Sequence, residues 1–120
     1  MPNSATTAAS QPDEGRPARP VRILIWFRAQ TDDDAADIRK GYAAMRDAQR
    51  GRRGLVRSEL LESMAEPESF AVLTHWESMS DFVAWQREPG HDADTAPMDA
   101  FRDLRAGGRY AEAFTVTDEG

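Results

Sequence analysis

Few side chains in this sequence are equipped for chemistry at neutral pH, and they lie close together. His75 and His91 are its two histidines, the residue type whose ordinary pKa allows proton transfer near pH 7. Trp76 ends the apolar run FAVLTHW (70–76), and Trp85 follows nine residues later. An indole N–H only donates, and a buried one needs a partner. Trp76 is therefore either an ordinary core residue or the wall and hydrogen-bond donor of an aromatic pocket. His91 falls in EPGHDADTAP (88–97), which reads as a loop. It is either solvent-exposed or the one group there that moves a proton.

Other chemistries lack their residues. There is no cysteine, so disulfides, thiolate metal sites, iron–sulfur clusters and a cysteine nucleophile are excluded. No HxxE or HxH spacing exists around either histidine, so no metal site is expected. No serine sits in a G-x-S-x-G elbow. GRRG and AGG read as turns rather than phosphate loops, and DDD (32–34) as a helix start. No cofactor is expected. The net charge of −6 argues against nucleic acid and anionic membrane surfaces, and no apolar run approaches the ~20 residues of a span. Residues 1–20 are rich in Ser, Thr, Ala and Pro without a signal-peptide core. They read as a disordered leader, and the protein as cytoplasmic.

The elements that must position these groups follow from periodicity. VRILIWFRA (21–29) predicts a strand, and residues 33–49 a helix with Ala35, Ile38, Tyr42 and Met45 at helical spacing. LVRSELLESM (55–64) predicts a second strand, AEPES (65–69) a turn, and residues 70–76 a third strand. A helix over about 80–87, capped by Ser78 or Ser80, carries Phe82 and Trp85 on one face. MDAFRDL (98–104) predicts a short helix or turn, and RYAEAFTVT (109–117) a final strand. This order is the split βαβ, ferredoxin-like α+β pattern over residues 21–118, with two helices on one face of an antiparallel sheet. The other face would be covered by a second copy of the chain.

In the third strand, period two puts Phe70, Val72, Thr74 and Trp76 beneath the helices, and Ala71, Leu73 and His75 on the other face. A cavity lined by aromatic residues and methionines follows. Trp26 or Phe27, Tyr42, Met45, Phe70, Trp76, Phe82, Trp85, Met98 and Phe101 would form it, with Val72 and Thr74 also facing the substrate. The alternative is that these side chains simply fill a core.

GLVRSELLESMAEPESFAVLTHWESMSDFVAW (54–85) resembles the antibiotic biosynthesis monooxygenase superfamily. The shared pattern is a GL-type strand, a turn with Pro, an apolar strand ending in WES, and a helix with Phe then Trp. The style of VRILIWFRA and the spacing of His91, Thr95, Ala96, Pro97 and Phe101 are similar to tetracenomycin-type anthrone oxygenases. The resemblance implies a homodimer, closed as a dimeric α/β barrel. Its implied activity is cofactor-free oxidation of an aromatic polyketide, anthrone or hydroquinone to quinone, with molecular oxygen as co-substrate. Trp76 matches the family's catalytic strand-end tryptophan, and the asparagine assisting it in one branch falls at Val72. Trp85 matches the helical tryptophan of the haem-degrading branch, whose iron-ligating histidine falls at Thr95, which disfavours haem. On the chemistry of such a reaction, His91 would take the phenolic or benzylic proton, or a nearby arginine, Arg28 or Arg87, would stabilise the phenolate. Two alternatives stand beside this: an enzyme that opens or closes a ring in the same pathway class, and a non-catalytic dimer that binds an aromatic product.

Overall fold

Alternating apolar residues in three segments build the centre of a sheet, and one end of that sheet carries the cavity. The computed structural model describes residues 19–104 and 108–120. In chain order the elements are β1 (Val21–Arg28), α1 (Asp32–Gln49), β2 (Leu55–Glu62), β3 (Ser69–Trp76), α2 (Met79–Gln86), α3 (His91–Asp99) and β4 (Ala111–Thr115). The four strands form one antiparallel sheet in the order β2-β3-β1-β4, the ferredoxin-like arrangement. Of the expected leader, only residues 19 and 20 are among the described residues.

The caps explain where the helices begin. Thr31 Oγ1 accepts from the Asp34 N–H at 3.0 Å, with Asp32, Asp33 and Asp34 in the first turn, where the helix dipole favours negative charge. Ser78, not Ser80, caps α2: its Oγ accepts from the Asp81 N–H at 3.2 Å and donates to the Asp81 carboxylate at 3.0 Å. Gly54 ends the turn after α1 at φ 83°, and its carbonyl accepts from the Glu77 N–H at 2.8 Å. A β-carbon there would overlap the Asp81 side chain. Gly54→Ala is expected to cost about 2 kcal/mol or more through left-handed strain and this clash. Urea titration measures it, and an unchanged midpoint would refute the account.

The structure departs from the sequence reading in the last third. The stretch expected as the loop 88–97 is mostly helix, since α3 begins at His91 and Pro97 sits inside it. Residues 98–104 do not form a helix of their own. After α3 the chain runs beside β1, where the Arg28 N–H donates to Phe101 O at 2.8 Å and the Asp103 N–H to Trp26 O at 3.0 Å. β4 is shorter than the expected 109–117. Among the described residues three helices therefore cover the sheet, not two. Gly41 lets α3 approach α1, because a β-carbon would stand 3.1 Å from Met98 Cγ and 3.2 Å from Pro97 O.

Register sorts the side chains by face. Val21, Ile23, Ile25 and Phe27 of β1 lie opposite Trp76, Thr74, Val72 and Phe70 of β3, all on the helix side. The other face carries Leu24 beside Leu73, Trp26 beside Ala71 and Arg22 beside His75. His75 Nε2 lies 3.6 Å from Glu59 Oε1, yet burial and the nearby Arg22 and Arg57 outweigh that carboxylate and hold the imidazole below its usual pKa. The folded state then binds fewer protons than the unfolded chain in the interval just below the ordinary value, about 6.5. This contribution to stability is complete above that pH and is lost as pH falls. His75→Gln is expected to flatten the drop in melting temperature between about pH 7.5 and 5.5. A drop as steep as wild type would show that His75 does not cause it.

Candidate active site

The core beneath the helices is divided. One cluster joins Phe27, Ile38, Tyr42, Met45, Phe70 and Met98, and another joins Val21, Ile23, Trp76, Phe82 and Trp85. Ile25 packs against both. Between them lies a cavity of about 80 Å³, walled by Ile23, Phe27, Met45, Val72 and Phe82. Gln86, Asp99 and Arg102 also line it and are exposed, so they mark its rim. An apolar cavity with a few convergent polar groups has the composition of a small-molecule site.

Three polar atoms of residues lining the cavity have no hydrogen-bond partner among the described residues: Gln49 Oε1, Trp85 Nε1 and His91 Nδ1. Gln49 is 1 % exposed and Trp85 5 %. An unmet buried polar group costs about 1–3 kcal/mol, so a fold that gathers three around one cavity carries a local penalty that a polar ligand would relieve.

Each group is held by its element. Gln49 is the last residue of α1, in register with Ile38, Tyr42 and Met45 on the buried stripe. Trp85 projects from α2, and His91 opens α3 with its ring edge-on to Trp85, centroids 4.3 Å apart at 82°. Arg52 bonds Glu88 at 2.8 Å and lies 3.8 Å from Asp94. It thereby ties the loop after α1 to both sides of the turn that delivers His91.

Trp76 takes the first of its two expected places, in the core. It is fully buried, stacks on Trp85 at 5.7 Å and meets Phe82 edge-on at 5.6 Å. Its N–H donates to Thr74 Oγ1 at 2.9 Å. Thr74 lines the cavity and Trp76 does not. Because Oγ1 accepts from the indole, the Thr74 hydroxyl hydrogen is left to be donated elsewhere.

Of the expected lining, the structure brings together Met45, Val72, Thr74, Phe82, Trp85, His91 and Met98. Besides Trp76, four expected lining residues are elsewhere. Trp26 is on the opposite sheet face, so Phe27 occupies the wall. Tyr42 spends its hydroxyl on Ser58 Oγ at 3.0 Å. Phe70 is buried in the first cluster, and Phe101 packs against it. Arg28 pairs with Glu68 at 3.0 Å, and Arg87 is exposed on α2's end. The arginine at the rim is Arg102, 2.8 Å from Asp99 and 4.3 Å above the Tyr110 ring. Sequence reasoning missed Gln49, although a polar residue continuing the stripe Ile38–Tyr42–Met45 was the available signal. Arg102 and Tyr110 had none, since they depend on the path after α3.

Fold and cavity together define a small ferredoxin-like domain with an aromatic-walled site between sheet and helices. Residues 20–94 match the antibiotic biosynthesis monooxygenase family, and the chain belongs to it. Among solved structures it is similar to SnoaB, a cofactor-independent oxygenase from Streptomyces nogalater, with TM-score 0.66, 17% identity, and coverage of 86% of this chain and 96% of that one. It is also similar to the heme-degrading protein Rv3592 from Mycobacterium tuberculosis (TM-score 0.64, 22% identity, 86% and 97% covered). A conserved protein from Methanosarcina mazei gives TM-score 0.65 at 9% identity, with 84% and 94% covered. At these identities the likeness is one of fold. No curated protein matches the chain. No helix among the described residues is long and apolar enough to cross a membrane.

Proposed function

We propose that the protein is a cofactor-independent monooxygenase that oxidises an aromatic polyketide at an activated ring carbon, anthrone to quinone, with O₂ as co-substrate. The observation that carries this reading is the unpartnered His91 Nδ1 beside Trp85 in an apolar cavity. With the imidazole proton on Nε2, Nδ1 presents a lone pair to the substrate. Removing a benzylic or phenolic proton turns an anthrone into an electron-rich anion that can itself reduce O₂. The methylene carbon loses two hydrogens and gains one oxygen as a carbonyl, and the second oxygen leaves as water. The protein's part is to seat the ring edge, take the proton and stabilise the anion, for which Thr74's hydroxyl and the Trp85 N–H are the available donors. The cavity is smaller than a fused-ring molecule, so the reactive edge enters and the remainder lies across the rim.

The position at which the resemblance sets the iron ligand does not supply one here. Thr95, where the resemblance sets an iron ligand, turns its hydroxyl to His91 O at 3.3 Å. Among the described residues no three His, Asp or Glu side chains are grouped to hold a metal.

Incubation of chelator-treated protein with anthrones under ¹⁸O₂ tests the proposal. One labelled oxygen is expected in the quinone, at a rate well above the uncatalysed one. A requirement for added flavin, haem or metal would overturn it.

The same proposal includes a homodimer that buries the open sheet face. Leu24, Trp26, Leu73 and Phe114 give that face an apolar centre, and Phe114 and Leu61 are exposed. Sedimentation is expected to give a dimer at micromolar concentration, and Leu73→Glu a monomer. A monomeric wild type would refute this.

A further inference from the structure

We propose that Gln49 and Trp85 form a substrate-recognition pair selecting an uncharged aromatic that carries both a hydroxyl and a ketone. This rests on the oxygenase reading only for the identity of the cavity as the substrate site. Gln49 Oε1 is an acceptor and Trp85 Nε1 a donor. Both residues line the cavity and are more than nine-tenths buried, and neither atom has a hydrogen-bond partner among the described residues. Neither polar atom serves the fold, because an apolar side chain of similar size would pack as well without the desolvation penalty. Nor does proton abstraction use Gln49.

The chemistry of the two atoms defines the ligand. An amide oxygen is satisfied by a phenolic O–H, and an indole N–H by a carbonyl oxygen. A carboxylate fails on the first count, since it offers no proton to Gln49, and the lining arginine is already engaged, Arg102 being paired with Asp99 and stacked on Tyr110. Desolvating an unpaired anion against apolar walls is costly. The pair therefore sets specificity by what it leaves unmet: a ring without the hydroxyl strands Gln49, and one without the ketone strands Trp85.

The test measures binding under anaerobic conditions by calorimetry, so turnover plays no part. The probes are the ring-hydroxylated 1-tetralones, 1-tetralone, tetralin and 2-naphthoate. At least one hydroxytetralone is expected to bind about tenfold or more tighter than 1-tetralone, the effect of one neutral hydrogen bond in a dry site. 2-Naphthoate is expected to bind weakest. Gln49→Leu should abolish the hydroxyl preference with melting temperature unchanged or raised, and Trp85→Phe should abolish the preference of 1-tetralone over tetralin. Gln49→Met provides a second test of the same acceptor should Gln49→Leu fail to fold. Survival of the hydroxyl preference in either folded Gln49 variant, tightest binding by 2-naphthoate, or no binding by any tetralone would overturn the assignment. The two proposals fail separately. Selective binding without anthrone oxidation would sink the oxygenase reading alone, and oxidation with Gln49→Leu behaving as wild type would sink only the recognition pair.

Discussion

If the proposed reaction is right, His91→Gln is expected to lower kcat for anthrone oxidation by about 10²–10⁴-fold, the usual contribution of a positioned general base, and to leave the melting temperature within a few degrees of wild type. The imidazole is only half-buried. Its backbone N–H bonds Glu88 O at 3.0 Å irrespective of side chain, so the substitution leaves the start of α3 intact. Glutamine retains polarity and the ability to hydrogen-bond but cannot accept a proton at neutral pH. The loss should therefore fall on kcat rather than on KM. Near-normal turnover in a folded variant would remove His91 from the mechanism.

The second large effect belongs to a pair. Thr74→Val should reduce kcat by about 10²–10³-fold, as removal of one donor from a desolvated site does, and it also strands the Trp76 N–H. Trp76→Phe should cost about 1–3 kcal/mol of stability through the altered stack with Trp85 and Phe82. Its kinetic loss should be smaller, near tenfold, because the indole acts by orienting the Thr74 hydroxyl. The double variant should then match Thr74→Val in rate, since the second change removes support from a group already gone. A loss of 10²–10³-fold in Trp76→Phe with Thr74→Val near wild type would show the opposite: an indole that touches the substrate itself.

These particulars show how much was written in the sequence. The strands were legible because Phe70, Val72, Thr74 and Trp76 alternate with Ala71, Leu73 and His75, and a period of two assigns faces without any knowledge of partners. The choice between Trp26 and Phe27 stayed open because WF offers an aromatic to each face, and only pairing across to Ala71 decides between them. α3 was hidden by Pro97 and by a Gly-Pro-Asp composition that ordinarily signals a loop. It forms because Met98 is buried against α1 at Gly41, a tertiary contact that overrides local preference. The role of Trp76 could not be read from position, because a donor's partner two residues back on the same strand face resembles a donor without one.

The divided core has a consequence for how the molecule opens. The cluster around Trp76, Phe82 and Trp85 is joined to the cluster under α1 mainly by the sheet and Ile25, and α2 is only eight residues long. Segments with few bridging contacts open as separate cooperative units. Amide hydrogens of α2 should accordingly exchange with solvent faster than those of α1 and β3, by a local excursion that leaves the rest folded. Such an excursion is also a route of entry, which a cavity this narrow requires. A molecule spanning Gln49 and Trp85 would touch both units at once, so its arrival should slow exchange in α2 far more than in α1. The ligand in that case completes the interior of the protein and latches the helix that admitted it.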